Sequence, residues 1–291
     1  MTQVLTVVAN REATSLTPAI LREVQQAVGG QAPVILSEGE AADIPVSGAP
    51  DLDQARAALQ GRPIDLIPVK HRGRRKGLLL ADMDSTIVTG ETLDELAAFA
   101  GIGERISAIT ARAMNGELEF KEALRERVAM LKGLPIDALE RTWERVRITP
   151  GARELVATMR GRGATTALVS GGFSFFTGRV AEAVGFEIHR SNQLLDDGAS
   201  LTGEVAEPIL DRGVKLATLQ SLASERGLKL QATLAVGDGA NDLDMLRAAG
   251  LGVAFHAKPI VAAEVRARVD HANLRALLFA QGYRAAEFAE F

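Results

Sequence analysis

The sequence predicts an α/β fold in which a doubly wound parallel sheet carries an inserted helical bundle and follows a small α+β domain. Three observations lead to this prediction. From Leu78 onward, short apolar runs that end in polar side chains alternate with helical patterns, as in a parallel sheet covered by helices. The long stretch between the first two of these runs is helical throughout. The first 70 residues alternate strand and helix patterns on a smaller scale.

Residues 1–70 show the pattern of a small α+β sandwich of ferredoxin-like type. The predicted elements are, in order, a strand Val4–Ala9, a helix Leu16–Val28, strands Pro33–Leu36 and Asp43–Val46, a helix Leu52–Leu59 and a strand Ile64–Val69. A basic segment, residues 71–76, follows them. Its composition favours a solvated hinge over a surface that attracts nucleic acid or phosphate. The sequence therefore predicts an N-terminal domain joined to the remainder by a linker.

Three later apolar runs end at side chains that can bind a cation or an anion. They are Leu78–Ala81, followed by Asp82 and Asp84, Thr165–Val169, followed by Ser170, and Thr233–Gly237, followed by Asp238. In a Rossmann-like sheet the ligand lies beyond the carboxyl ends of the strands. We therefore expect these side chains to meet at one edge of the sheet.

The combined set suits a divalent cation and a phosphoryl group. Buried carboxylates are costly unless a cation neutralises them, and oxygen ligands suit Mg²⁺. Two glycines, 171 and 172, are expected at a helix start, where backbone N–H groups favour an anion. Lys215, ahead of another predicted helix, supplies a fixed positive charge. A lone pair of acids such as Asp82 and Asp84 is more often a solvated strand end, but the other motifs overturn that interpretation.

These residues, in order and spacing, resemble the four motifs of the haloacid dehalogenase superfamily of phosphotransferases. The matching positions are Asp82-x-Asp84-x-Thr86, Ser170, Lys215 and Gly237–Asp242. The segments DMDSTIVTGET, VSGGF and AVGDGANDLDML are similar to those of the phosphoserine phosphatase branch, and the resemblance covers Lys76–Phe291. It implies Mg²⁺-dependent hydrolysis of O-phospho-L-serine through an aspartyl-phosphate, the last step of serine biosynthesis. Residues 1–70 resemble, by order of elements only, the amino-acid-binding ACT modules.

Two other functions stay open at this point. One is a soluble phosphatase or phosphotransferase of the same superfamily that acts on a different small phosphorylated metabolite. The other is a regulatory binding protein with a vestigial core, although the intact motifs argue against it. Release of phosphate from a panel of substrates distinguishes all three functions.

The resemblance also implies individual roles. Asp82 is the nucleophile and Asp84 the general acid and base. Mg²⁺ is held by Asp82, the main-chain carbonyl of Asp84 and Asp238, with Asp242 close by. The phosphoryl group is bound by Ser170, the Gly171 N–H, Lys215 and Asn241.

Four helices are predicted between Val88 and Thr149, where the family inserts a cap over the active site. They are Thr92–Ala100, Glu104–Met114, Glu119–Leu131 and Ile136–Val146. In the third, Arg127 lies on the apolar face, and the pattern alone favours a side chain that reaches toward solvent. The resemblance implies instead that Arg127 binds the substrate carboxylate and Glu91 its ammonium group. Phe120 and Met114 are then expected to shape and close the pocket.

Two further β elements are predicted, namely a hairpin over Phe186–Val205 and a final sheet strand at Leu251–Phe255. The four histidines lack metal-ligand spacing, so we predict that none is catalytic.

Composition excludes several classes of function. A net charge of −4 argues against a dedicated nucleic-acid binder. The absence of cysteine excludes disulfides and thiol catalysis and fits a cytoplasmic protein. Neither a signal peptide nor an apolar run that spans a bilayer is expected, which separates the chain from P-type ATPases with a similar GDGxND segment. We expect a small-molecule substrate and no nucleic-acid or membrane partner, and we leave a homodimer open.

Overall fold

The computed structural model describes residues 2–114, 118–211 and 213–290. The N-terminal elements are strand β1 (Thr2–Ala9), helix α1 (Pro18–Ala27), strands β2 (Val34–Ser37) and β3 (Ala41–Ser47), helix α2 (Leu52–Leu59) and strand β4 (Ile64–Lys70). The four strands form an antiparallel sheet in the order β2-β3-β1-β4. This is the ferredoxin-like arrangement predicted from the order of elements.

Both N-terminal helices begin where the sequence provides a cap. Thr17 accepts a hydrogen bond from the Ile20 N–H at 3.3 Å, and Pro18 occupies the first turn of α1, where its missing N–H costs nothing. Asp51 caps α2 in the same manner. Apolar side chains of the two helices pack on one face of the sheet and form a small core of their own.

The remaining elements belong to the catalytic core and its insertion. In chain order they are β5 (Leu78–Ala81), α3 (Thr92–Phe99), α4 (Gly103–Met114), α5 (Phe120–Ala129), α6 (Asp137–Trp143), α7 (Ala152–Gly161), β6 (Thr165–Phe173), α8 (Ser174–Val184), β7 (Ile188–Asn192), β8 (Leu194–Asp196), β9 (Leu201–Val205), α9 (Gly213–Glu225), β10 (Thr233–Gly237), α10 (Leu243–Ala248), β11 (Leu251–Phe255), α11 (Pro259–Glu264), β12 (Ala267–Val269) and α12 (Ala276–Ala280).

Six of these strands form a parallel sheet in the order β12-β11-β10-β5-β6-β7. Helices cover both faces, and the apolar clusters on the two sides are separate. Strand β5 lies between β10 and β6, so the three strands whose ends carry the predicted site residues are neighbours. The predicted α/β class, with a doubly wound parallel sheet, is confirmed.

Three details of the prediction were wrong. Strand β6 continues through both glycines to Phe173, so the glycine pair is not at a helix start, although the helix predicted over Phe173–Val184 begins only one residue later, at Ser174. The segment Phe186–Val205 is not one hairpin, because β7 joins the parallel sheet and only β8 and β9 pair with each other. The sheet does not end at β11, because β12 adds a further strand. Alternation of side chains cannot tell which partner a strand will choose, and β12, with three residues, is too short to give a pattern.

Helices α3–α6 form the predicted insertion between β5 and β6, and their bounds differ from the predicted ones by at most three residues. The β8–β9 hairpin is hydrogen-bonded to the segment between α5 and α6. The Gly133 N–H donates to the Leu201 carbonyl at 2.8 Å, and the Ile136 N–H donates to the Ala199 carbonyl at 3.0 Å. No helix among the described residues is long and apolar enough to cross a membrane.

The N-terminal sheet packs its second face directly on the catalytic core. Val4, Val8, Ile67 and Val69 belong to the same apolar cluster as the residues of α12. The carboxylate of Asp65 accepts hydrogen bonds from the N–H groups of residues 270, 271 and 272, which follow β12. The two parts of the chain are therefore in extensive contact.

Arg74 closes this interface and is not part of a solvated hinge. Its guanidinium group pairs with both carboxylate oxygens of Asp43, at 2.5 and 3.0 Å, and donates to the carbonyls of Phe279 and Ala280 at 3.1 Å. Only 11% of the Arg74 side chain is exposed. Residues 71–73 are exposed, but the prediction that the whole segment is solvated fails at Arg74.

Candidate active site

Strand β5 delivers Asp82 to the carboxyl edge of the sheet. The Asp82 N–H donates to the Val236 carbonyl of β10 at 3.0 Å, which extends the pairing of the two strands by one residue. The chain then makes a tight turn, in which Ser85 adopts φ +54° and the Met83 N–H donates to the Asp82 carboxylate at 2.8 Å. This turn directs Asp82 and Asp84 into different surroundings.

A buried lysine lies between two carboxylates. The Nζ atom of Lys215, which is on the first turn of α9, is 2.7 Å from Asp82 Oδ1 and 2.6 Å from Asp242 Oδ1. Burial opposes protonation of the lysine, but the carboxylates of Asp242 and Asp82 outweigh it and raise the Lys215 pKa above its ordinary value. Lys215 is therefore a permanent cation at the end of β5.

Three buried carboxylates converge at this edge. Oxygen atoms of Asp82, Asp238 and Asp242 all lie within 4.8 Å of one another. Burial raises the pKa of Asp82, with Asp242 adding to the shift and Lys215 opposing it, and burial raises the pKa of Asp238 to about 6. Three acids with one buried lysine leave negative charge uncompensated, and an all-oxygen donor set suits a hard divalent cation. The residues present therefore fit a metal ion.

The turn after β10 has no space for larger residues at its glycines. A methyl group on Gly237 would lie 2.4 Å from Asp242 Cγ. The Gly239 N–H donates to the second carboxylate oxygen of Asp242 at 3.0 Å. These contacts fix Asp242 so that it faces Lys215.

Asp84 lies on the other side of the site, between the core and the cap. Its carboxylate accepts a hydrogen bond from Ser170 Oγ at 3.0 Å and another from the N–H of Thr92, the first residue of α3, at 2.8 Å. Burial raises the Asp84 pKa, and the nearby charge of Glu91 adds to the shift. The raised pKa favours the protonated form of the Asp84 carboxyl group.

Ser170 is oriented by the glycine pair that follows it. The Gly172 N–H donates to Ser170 Oγ at 2.8 Å, and a methyl group on Gly172 would lie 3.1 Å from Asp84 Oδ2. Glycine at this position therefore permits the close approach of Ser170 and Asp84.

A small cavity opens beside these groups. It is lined by Phe120, Val169, Ser170, Gly171, Leu210, Asp211, Val214, Lys215 and Asn241. Five of the predicted site residues, from both the cap and the core, thus surround one space. Leu210 and Asp211 were not predicted, because the loop before α9 carries no pattern that places it at the site, and neither was Val214 on the first turn of α9.

Asn192, at the end of β7, holds two walls of this cavity together. Its side-chain amide donates to the Gly171 carbonyl at 2.8 Å and accepts from the Leu210 N–H at 2.7 Å. The residue is 2% exposed. Asn192 was not predicted as a site residue either, since the pattern of its segment favours a hairpin over a strand of the parallel sheet.

Arg127 and Glu91 do not line this cavity, although the charge of Glu91 acts on both Arg127 and Asp84. Arg127, on α5, donates through Nε to the Ala123 carbonyl at 3.2 Å. Its burial lowers its pKa, while the negative charges of Asp94 and Glu91 oppose the shift. Glu91 accepts a hydrogen bond from Ser85 Oγ at 2.8 Å. The side chain of Met114 lies outside the described residues.

The comparisons with known proteins agree with this geometry. A family model for haloacid dehalogenase-like hydrolases matches residues 79–247. The phosphoserine phosphatase of Archaeoglobus fulgidus is 43% identical over 214 residues, which cover 74% of this chain and 62% of that protein. The phosphoserine phosphatase of Streptococcus thermophilus is 46% identical over 199 residues, which cover 68% of this chain and 93% of that protein.

A solved structure extends the similarity to the N-terminal sheet. The unliganded form of a probable phosphoserine phosphatase from Vibrio cholerae superimposes with a TM-score of 0.78 and 34% identity, covering 97% of this chain and 88% of that chain. With the family match to the segment that carries Asp82, Ser170, Lys215 and Asp238, these similarities show that the chain belongs to the haloacid dehalogenase-like hydrolases, in the group that contains the phosphoserine phosphatases.

Proposed function

We propose that this protein is a phosphatase that hydrolyses O-phospho-L-serine to L-serine and inorganic phosphate, the last step of serine biosynthesis. The observation that carries the proposal is the placement of the two acids of the first motif. Asp82 lies against the ammonium group of Lys215, and Asp84 lies against the hydroxyl of Ser170, beside one cavity. The names of the relatives that share these motifs support phosphoserine as the substrate.

The acidic cluster is the proposed site of Mg²⁺. Asp82, Asp238 and the main-chain carbonyl of Asp84 would hold the ion, with Asp242 close by. When bound, it would neutralise charge on the carboxylates and on the phosphoryl oxygens. The convergence of three buried carboxylates supports a divalent cation, and their oxygen-only chemistry favours Mg²⁺ over softer metals.

The first step is attack by a carboxylate oxygen of Asp82 on phosphorus. A bond forms between Asp82 and the phosphoryl group, and the bond from phosphorus to the serine oxygen breaks. Lys215, Ser170, Asn241 and the Gly171 N–H bind the phosphoryl oxygens. Asp84 gives its proton to the departing serine oxygen, and the raised pKa that burial and Glu91 give this carboxyl group supports that role.

In the second step Asp84, now ionised, takes a proton from a water molecule that attacks the aspartyl-phosphate. The new oxygen–phosphorus bond releases Asp82 and yields inorganic phosphate. Dividing the reaction in this way lowers a barrier that is among the highest known for uncatalysed reactions in water. The N–H of Thr92, the first residue of α3, holds the Asp84 carboxylate from the cap side during both steps.

Substrate specificity is proposed to come from the charged side chains of the cap. Arg127 would bind the substrate carboxylate and Glu91 its ammonium group, while Phe120 and Met114 would close the apolar side. The negative charges of Glu91 and Asp94 act on Arg127, so the cap provides both signs of charge that a zwitterionic amino acid requires.

Phosphate release from a panel of phosphorylated compounds tests the proposal. We expect rapid release from O-phospho-L-serine with Mg²⁺ and none with excess chelator, and much slower release from phosphothreonine and sugar phosphates. Equal or faster turnover of another phosphorylated metabolite would replace phosphoserine as the substrate. Phosphate release that persists without any divalent cation would contradict the metal assignment.

A further inference from the structure

Lys258 is a second cation at the acidic edge, and the proposed reaction gives it no role. It follows β11 and precedes α11, and its Nζ atom lies 3.6 Å from Asp238 Oδ2. About half of its side chain is exposed, whereas Asp238 is buried. Lys258 therefore approaches the carboxylate cluster from the solvent side, opposite the buried Lys215.

The backbone of Lys258 is fixed, while its side chain has freedom to move. The Lys258 N–H donates to the Asp238 carbonyl at 3.0 Å, and the Lys258 carbonyl accepts from Val261 and Ala262 at the start of α11. The ammonium group is thus always within reach of Asp238 but is held there by one half-exposed ion pair. Such pairs are weak and exchange readily.

A second acid lies within electrostatic reach on the cap. Asp94, on the first turn of α3, is exposed, and both Arg127 and Lys258 oppose the upward shift that burial and Glu91 give its pKa. The charge of Lys258 therefore acts on Asp94 of the cap as well as on Asp238 of the core, where its Nζ atom lies 3.6 Å from the carboxylate. If Arg127 binds the substrate carboxylate, Asp94 is left with Lys258 as its neighbouring cation.

We propose that Lys258 is an exchangeable counter-ion that neutralises Asp238 while the metal site is empty and moves to Asp94 when a divalent cation binds. Lys258 is then a positioning residue, because it sets the affinity of the acidic cluster for the metal without contacting the substrate. This inference rests on the metal site of the proposed function.

Calorimetric titration of the full chain with MgCl₂ alone tests the exchange. Lys258→Met removes the competitor, so we expect the Mg²⁺ Kd to fall by roughly three- to fivefold. Lys258→Arg keeps the charge and should leave the Kd within about twofold of the unchanged protein. Lys229→Met is the matched control, because Lys229 is exposed at the opposite end of β10, and it should have no effect.

Substitution of Asp94 provides the second part of the titration experiment. Asp94→Asn should raise the Kd, because the displaced ammonium group loses its partner in the metal-bound state. In a protein that already carries Lys258→Met, the added Asp94→Asn should leave the Kd equal to that of Lys258→Met alone, and this non-additivity separates exchange from a general loss of negative charge. Additive effects, or a Kd unchanged by Lys258→Met in a protein that binds Mg²⁺, would overturn the exchange and leave the proposed hydrolysis standing. Absence of Mg²⁺ binding by the unchanged protein would overturn both.

Discussion

Asp82 and Asp84 leave the same strand end and meet different partners. Asp82 contacts Lys215 and lies in the carboxylate cluster, where burial and Asp242 raise its pKa and the positive charge of Lys215 opposes that shift. Asp84 contacts Ser170 and the first amide of the cap, where burial and Glu91 favour its protonated form. The turn that contains Ser85 thus gives two identical side chains, two residues apart, the different partners that their proposed roles as nucleophile and acid require.

Asp82→Asn should reduce kcat for phosphoserine by at least about 10³-fold, since the amide oxygen is a poor nucleophile and cannot form the aspartyl-phosphate. The change keeps the shape of the side chain and removes a buried charge, so the thermal unfolding midpoint should not fall. The measurement is phosphate release together with trapping of phosphoenzyme by rapid acid quench.

Asp244→Asn is the control for this change, because Asp244 is an exposed acid of α10. It should leave both turnover and phosphoenzyme unchanged. Substantial phosphoserine turnover by Asp82→Asn would refute the assignment of the nucleophile.

Arg127→Ala should raise KM for phosphoserine steeply, because the substrate carboxylate loses its charged partner at a cost of about 2–5 kcal/mol. The same variant should retain its KM for p-nitrophenyl phosphate, which has no carboxylate. Steady-state kinetics with both substrates give the comparison. Arg125→Ala, which removes an exposed arginine of the same helix, should spare both substrates. Equal loss on both substrates with Arg127→Ala would mean that this residue serves the fold or the phosphate.

At the scale of elements, the sequence predicted the strands that end at the site better than the elements around them. Strands β5 and β10 are short apolar runs with abrupt polar ends, so their patterns have one interpretation. The segment with β7, β8 and β9 contains the same alternation three times, and only tertiary contacts decide which strand joins which sheet. Asn192 and the Leu210 loop could not be predicted for this reason, since their place at the site follows from the pairing of β7.

A substitution at the end of β10 tests how closely the elements of the site are packed. Gly237→Ala would place a methyl group 2.4 Å from Asp242 Cγ and 2.5 Å from its Oδ2 atom. Asp242 must move, and its ion pair with Lys215 must lengthen. We expect turnover to fall by at least about 10²-fold and the free energy of unfolding to fall by about 1–3 kcal/mol. Urea unfolding and phosphate release measure the two effects.

The control substitution is Gly161→Ala at the end of α7, where an added methyl group meets no other atom within 4 Å. It should leave turnover unchanged and unfolding equal or slightly more difficult. Normal turnover by Gly237→Ala would show that the ion pair between Asp242 and Lys215 is dispensable.

At the scale of the whole molecule, the N-terminal sheet is a structural partner of the core. The composition of residues 71–76 could not predict this interface, because a basic, glycine-containing segment has the same sequence pattern whether its arginine is solvated or buried. Arg74 is buried because Asp43 of β3 and two carbonyls of α12 meet at one point, and Arg275 joins the same interface through two 3.0 Å contacts with Glu40. Binding of an amino acid by residues 1–70 stays a prediction.

The interface changes what removal of this region should do. Residues 1–72 cover apolar side chains of the core, so a chain that begins at Gly73 would expose them and leave Arg74 without Asp43. We expect this truncated chain to aggregate or to unfold at a lower temperature, even though every motif residue is retained. Differential scanning calorimetry and size-exclusion chromatography provide the test. A soluble truncated chain with an unchanged unfolding midpoint would show that the contacts contribute nothing.

Arg74→Ala isolates the polar part of the interface. The substitution leaves the Asp43 carboxylate buried with Thr6 Oγ1 as its remaining partner at 2.7 Å, and it removes donors from the Phe279 and Ala280 carbonyls. Breaking a buried pair in this way costs about 3–5 kcal/mol, so the free energy of unfolding should fall by about that amount.

The control is Arg72→Ala, two residues earlier and exposed, which should change the free energy of unfolding by less than about 0.5 kcal/mol. The double substitution Arg74→Met with Asp43→Leu should recover most of the loss, because it leaves no unpaired charge at the interface. Equal unfolding free energies for Arg74→Ala and Arg72→Ala would mean that the apolar contacts alone hold the two parts of the chain together.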